Sequence, residues 1–71
     1  MPTLRELRIR KFLSVRDLAR RAEVAQRTVT ETEAGRRVPQ PATMRKIAAA
    51  LDVDPMEIDE FREAVEAKSA A

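Results

Sequence analysis

Seventy-one residues make one domain near the lower limit for an independent core, and without cysteine or histidine it holds neither a disulfide nor a zinc-ligand set. Those absences, with no glycine-rich phosphate loop and too little chain for a deep pocket, argue against an enzyme, a metal site or a cofactor. The net charge of +2 is unevenly placed: residues 1–47 carry 12 basic and five acidic side chains, a net +7, while residues 48–71 carry two and seven, a net −5.

Eleven of the 14 cations are arginine, whose planar fork suits bidentate contact with phosphate or guanine better than lysine does. A basic body with an acidic tail is compatible with nucleic acid on one face; the plain alternative is charge that only keeps the chain in solution. The sequence has no long apolar run of the kind a signal peptide or membrane span requires. Absence of cysteine fits a reducing cytosol. A single glycine and many Ala, Leu, Arg and Glu residues predict an all-α chain.

Thr3-Leu4-Arg5-Glu6 has the form of a capping box and starts a first helix with Leu4 and Leu7 inward and Arg8 and Lys11 on the same side. Ser14-Val15-Arg16-Asp17 repeats the signal, opening a helix of about two turns whose inner stripe is Leu18, Ala19 and Ala22. Glu23-Val24 reads as a tight link to a third helix from near Gln26 to Glu33 or Ala34, closed by Gly35. Pro39 and Pro41 make 36–41 a loop, and Pro41 fits the first position of a fourth helix carrying Met44, Ile47, Ala48 and Leu51. Asp54-Pro55-Met56-Glu57 is the strongest helix start in the chain and is expected to launch a fifth helix bearing Ile58, Phe61 and Val65. The tail, Lys68 to Ala71, is expected to fray.

The third helix has an unusual outer face. From Gln26 to Thr32 there is one strong hydrophobe, Val29. On a helical wheel Gln26, Thr30, Arg27 and Glu31 fall within an arc of about 140°. That set can read base edges: Gln pairs with adenine, Arg with guanine, Glu accepts from cytosine, and a Thr methyl meets a thymine methyl. The plain alternative is a solvated helix with an Arg27–Glu31 pair four residues apart. Two short helices joined by a brief turn, the second polar outside, match helix-turn-helix geometry.

The match extends to motifs: LRELR at 4–8, LSVRDLA at 13–19, TVTETEAGRRVP at 28–39 and IAAALDV at 47–53. In these the chain resembles the Cro/CI-like (XRE) family of phage and bacterial regulators, over residues 3 to about 60 and in one register without a gap. The resemblance implies a compact five-helix, lambda-repressor-like DNA-binding domain spanning 1–71, with a core at 3–61, an acidic helix and tail at 54–71, and the helix-turn-helix at helices two and three. It also implies that Gln26, Arg27, Thr30 and Glu31 contact bases, that Ser14, Arg16, Thr28, Arg36 and Arg37 contact phosphates, and that Arg8 and Glu33 form a structural ion pair.

Against the family pattern, Val15 stands where a Gln usually donates to a phosphate, and Thr32 replaces a core aliphatic. Glu23 replaces the usual turn Gly and must tolerate positive φ or bend the turn, at about 1 kcal/mol. Ala25 replaces the usual N-cap of the reading helix at similar cost. Ile9 and Phe12 add an apolar patch on helix one: either a satellite core covered by the fifth helix through Phe61 or Val65, or a dimer contact.

The expected function is that of a sequence-specific regulator of double-stranded DNA, a repressor binding an inverted repeat as a homodimer, cytoplasmic and on the nucleoid. The rival is a protein-interaction module, antitoxin-like or adaptor, working through the acidic fifth helix with Ile58, Phe61 and Val65, or through its dimer alone.

Overall fold

In the computed structural model, which describes residues 2–70 and side chains as far as residue 67, Thr3 starts α1 (Leu4–Arg10) through a full capping box. The Thr3 hydroxyl accepts from the Glu6 N–H at 3.2 Å, and the Glu6 carboxylate accepts from the Thr3 N–H at 3.0 Å. Ser14 and Asp17 repeat the exchange at the start of α2 (Val15–Ala22), at 3.0 and 3.2 Å. Donors facing a carboxylate favour its charged form. The Thr3 backbone N–H, then its hydroxyl, therefore lower the Glu6 pKa from its ordinary 4.5, and Ser14 does the same for Asp17.

Next come α3 (Gln26–Glu33), α4 (Pro41–Ala50), a 3₁₀ turn (Pro55–Glu57) and α5 (Asp59–Ala70), with no strand among the described residues. The inner stripes meet in one core: Leu4 and Leu7 from α1, Leu18, Ala19 and Ala22 from α2, Val29 from α3, and Met44, Ile47 and Ala48 from α4. Leu13, Leu51, Ile58 and Phe61 complete it. The radius of gyration is 11.1 Å, which is about the value for a compact domain of this length. The frayed tail expected at 68–71 lies outside the residues whose side chains are described.

The Asp54 box forms, but it launches less than its sequence promises. Asp54 accepts from the Met56 N–H at 2.8 Å and Glu57 accepts from the Asp54 N–H at 2.8 Å, yet the result is one 3₁₀ turn. Ile58 then turns extended (φ −99°, ψ 120°) to put a fully buried side chain into the core, and α5 begins only at Asp59. Tertiary bonds fix that restart. The Asp59 N–H donates to the Pro2 carbonyl at 3.0 Å, and the Glu60 carboxylate accepts from the Leu4 N–H at 2.9 Å, satisfying an orphan donor of α1.

Four chain reversals share one pattern, in which an N–H reaches back five residues: Leu13 to Arg8, Val24 to Ala19, Arg36 to Glu31 and Val53 to Ala48, at 2.9–3.1 Å. Each needs a left-handed residue just before the donor. Gly35 supplies one (φ 76°), but Phe12 (57°), Glu23 (58°) and Asp52 (58°) supply the others. At Phe12 the left-handed backbone carries Leu13 into the core and leaves the ring outside. Phe12 is 94% exposed and Ile9 51%, so no satellite core forms beneath α5; Ile58 and Phe61 belong to the main core, and Val65 is 41% exposed. Because α1 ends at Arg10, Lys11 caps it from the exposed side instead of joining the inner face.

A bulky residue in the left-handed region costs about 1–2 kcal/mol, partly offset by the chain entropy that glycine adds to the unfolded state. Phe12→Gly should therefore stabilise the domain by about 1 kcal/mol, a rise of roughly 4–8 °C in Tm. A fall in Tm would mean that the exposed ring makes contacts worth more than the strain.

Candidate nucleic-acid interface

The turn that sets α3 beside α2 is three residues long. Glu23 takes the left-handed conformation its position demands, and its N–H and that of Val24 close on Arg20 and Ala19 at 3.2 and 3.0 Å. Ala25 then starts α3 without a side-chain cap, leaving first-turn donors of α3 without a capping side chain. α3 is held from inside by Val29 and Thr32, both fully buried. Thr32 is tolerated there because its hydroxyl donates to the Thr28 carbonyl at 2.6 Å and so is not buried unpaired.

A second anchor comes from α1. The Arg8 Nε–H donates to Glu33 Oε2 at 2.7 Å, Nη2 donates to Oε1 at 3.2 Å, and Nη1 donates to the Leu13 carbonyl at 2.9 Å. The two side chains are 13% and 11% exposed. This fork ties α1, the turn after it and the end of α3 together.

With that inner face secured, the outer arc is free. Gln26, Arg27 and Thr30 are exposed, Arg27 with 83% of its side chain in solvent. The Thr30 hydroxyl donates back to the Gln26 carbonyl at 3.1 Å, so its proton is already engaged within the helix. Glu31 differs from the other three: its side chain is 23% exposed, with Oε2 3.2 Å from Arg27 Nε and Oε1 3.8 Å from Arg37 Nη1.

Of the residues expected on phosphate, Ser14, Arg16, Arg36 and Arg37 are exposed and Thr28 is half-buried. The structure brings Thr28 and Arg37 together, with Arg37 Nη1 donating to the Thr28 hydroxyl at 3.1 Å. Ser14 is engaged in its capping box, and its N–H is already given to Asp17, so an anion at that helix start meets a charged carboxylate. Val15 packs half-buried against the core, and its side chain offers no donor.

Sequence reasoning missed the other wall of the Thr28–Arg37 contact. A cleft of about 360 Å³ is lined by Thr28, Arg37, Val38, Pro39, Gln40 and Thr43. Gln40 makes no cap bond to α4 and Pro41 has no N–H, so the first-turn amides of α4 lack a side-chain partner beside a cation. Such donors suit an anion. The signal available in the sequence was the weak cap at Gln40-Pro41, just past the arginine pair Arg36-Arg37.

Among the described residues no cluster of acids has metal-binding spacing, and no helix is long and apolar enough to cross a membrane. A family model described as a helix-turn-helix domain matches residues 3–61. Neither the curated proteins nor the solved structures contain a match to this chain.

Proposed function

The chain belongs to the helix-turn-helix domain family, a DNA-binding regulator by that membership, and from this premise we propose that it is a sequence-specific repressor that binds an inverted repeat as a homodimer. The observation that carries the reading is α3 itself. Its inner side is buried and ion-paired, and its outer side leaves Gln26, Arg27 and Thr30 exposed, Arg27 paired with its helix neighbour Glu31. Those groups, with Glu31 beside them, supply sequence discrimination; phosphate contacts supply affinity. Arg16, Arg36, Arg37 and Thr28 are the proposed phosphate contacts, without Ser14, whose N–H and hydroxyl are held by Asp17; the cleft between α3 and α4 extends them to Gln40 and Thr43.

One monomer reaches few bases, so a two-fold dimer with reading helices about 34 Å apart is the geometry that gives adequate specificity. Repression follows from occupying a promoter. An acidic protein-binding face is the second reading: Val38, Pro39, Pro41, Met44, Ala64 and Val65 line a shallow apolar groove beside exposed Glu63 and Glu66. The same groove is available to a second copy.

Arg27→Ala is expected to weaken the preferred site by about 1–3 kcal/mol and to relax one base position. Arg36→Ala is expected to weaken all sequences alike and to lower the slope of log affinity against log salt by about one unit. Binding isotherms across a salt series on preferred and scrambled duplexes measure both. Uniform loss with Arg27→Ala would make that arginine a phosphate clamp.

A further inference from the structure

Glu31 lies in the reading arc, yet it is its least exposed member, and both of its oxygens face cations. A carboxylate so engaged is poorly placed to accept from a cytosine. Its geometry suits another task. A guanidinium has one N–H on Nε and two on each terminal nitrogen. Glu31 takes the Nε side of Arg27 at 3.2 Å, and among the described residues the two terminal nitrogens have no partner. Guanine is read by two parallel N–H groups on its O6 and N7, which the terminal edge supplies. The other Glu31 oxygen faces Arg37, which is already bonded to Thr28.

We propose that Glu31 is a positioning residue, a carboxylate bracket that orients Arg27 for a guanine and withholds both Arg27 and Arg37 from indiscriminate phosphate contact. The proposal rests on the DNA-reading function above and deepens it. An arginine 83% exposed would otherwise sample many rotamers, all of which must be given up on binding. A bracket removes part of that cost and leaves the pairing edge free. Placing an anion between two cations also makes phosphate compete with an internal partner, which penalises sites where Arg27 finds no guanine.

The test uses the full chain in selections from a random duplex library at about 0.15 M salt, comparing the wild type with Arg27→Ala, Glu31→Ala and Glu31→Gln. Arg27→Ala identifies the base that Arg27 reads. Glu31→Ala should reduce preference at that same base by about tenfold, raise affinity for scrambled duplex, and steepen the salt slope by about one unit. Glu31→Gln, which keeps an acceptor for Nε, should retain more of the preference than Glu31→Ala. Without DNA, the Nε–H order parameter of Arg27 should fall in Glu31→Ala while the melting temperature stays near that of the wild type.

Flattening of a different base position by Glu31→Ala would make Glu31 a direct reader and overturn the bracket. An unchanged profile, or an unchanged order parameter, would overturn it as well. A wild-type selection that returns no motif would instead refute the DNA-reading function on which the bracket depends.

Discussion

Glu33→Leu should destabilise the domain by about 3 kcal/mol, Arg8→Met by a similar amount or more, and the two together by much less than their sum. The pair is about nine-tenths buried on both sides and fully forked. Removing one partner strands the other charge in a poorly solvated place, and such losses run to about 3–5 kcal/mol. Replacing both by apolar groups of similar size removes the stranded charge. Arg8→Met carries one further cost, because the Leu13 carbonyl loses its donor. For 71 residues the total stability is of order 4–10 kcal/mol, so each single variant lies close to unfolding. α3 feels the loss most, since Val29 and Thr32 are its only buried residues. Urea denaturation of the three variants measures the cycle. Single losses below about 1 kcal/mol would place the pair with ordinary surface bridges and remove it as the anchor of α3.

The helix starts at Thr3 and Ser14 were legible because a capping box is local: its bonds span three residues and depend on little else. The inner stripes of α2 and α4 were legible for the same reason, since periodicity is a property of the segment. The box at Asp54 marks where legibility stops. Its bonds form as written, but the buried Ile58 and the bond from Asp59 to Pro2 restart the helix later, and both depend on distant chain. Phe12 was misplaced on α1 because nothing within the segment shows that Leu13 must reach the core and force a left-handed residue before it. At the candidate site the arc could be drawn on a wheel from the sequence. The Arg8–Glu33 fork, 25 residues apart, came only through a family resemblance. The second cation on Glu31, from a loop arginine, was not foreseen by either route.

Phe61→Ala should remove about 3–5 kcal/mol, the loss expected when a large buried side chain leaves a cavity. Phe61 has no exposed surface and belongs to the same core cluster as Leu4 from α1 and Ile47 from α4, so the cavity it leaves would not close without moving that core. Phe61→Leu keeps much of the volume and should lose roughly half as much. Denaturation midpoints decide the first point: a loss under about 1.5 kcal/mol would show that α5 is a loosely held appendage. The magnitude also settles how the two functional readings must be separated. A variant at Phe61 that fails to bind a protein partner would fail because it is unfolded, as would its DNA binding. Val65 lies on the same helix and is partly exposed. Val65→Ser should change stability by no more than about 0.5 kcal/mol. If it abolishes dimerisation or partner binding while Phe12→Gly does not, the apolar groove beside α5 is the working contact. If DNA selection by Val65→Ser also loses the inverted repeat yet keeps the half-site, the groove's occupant is the second copy.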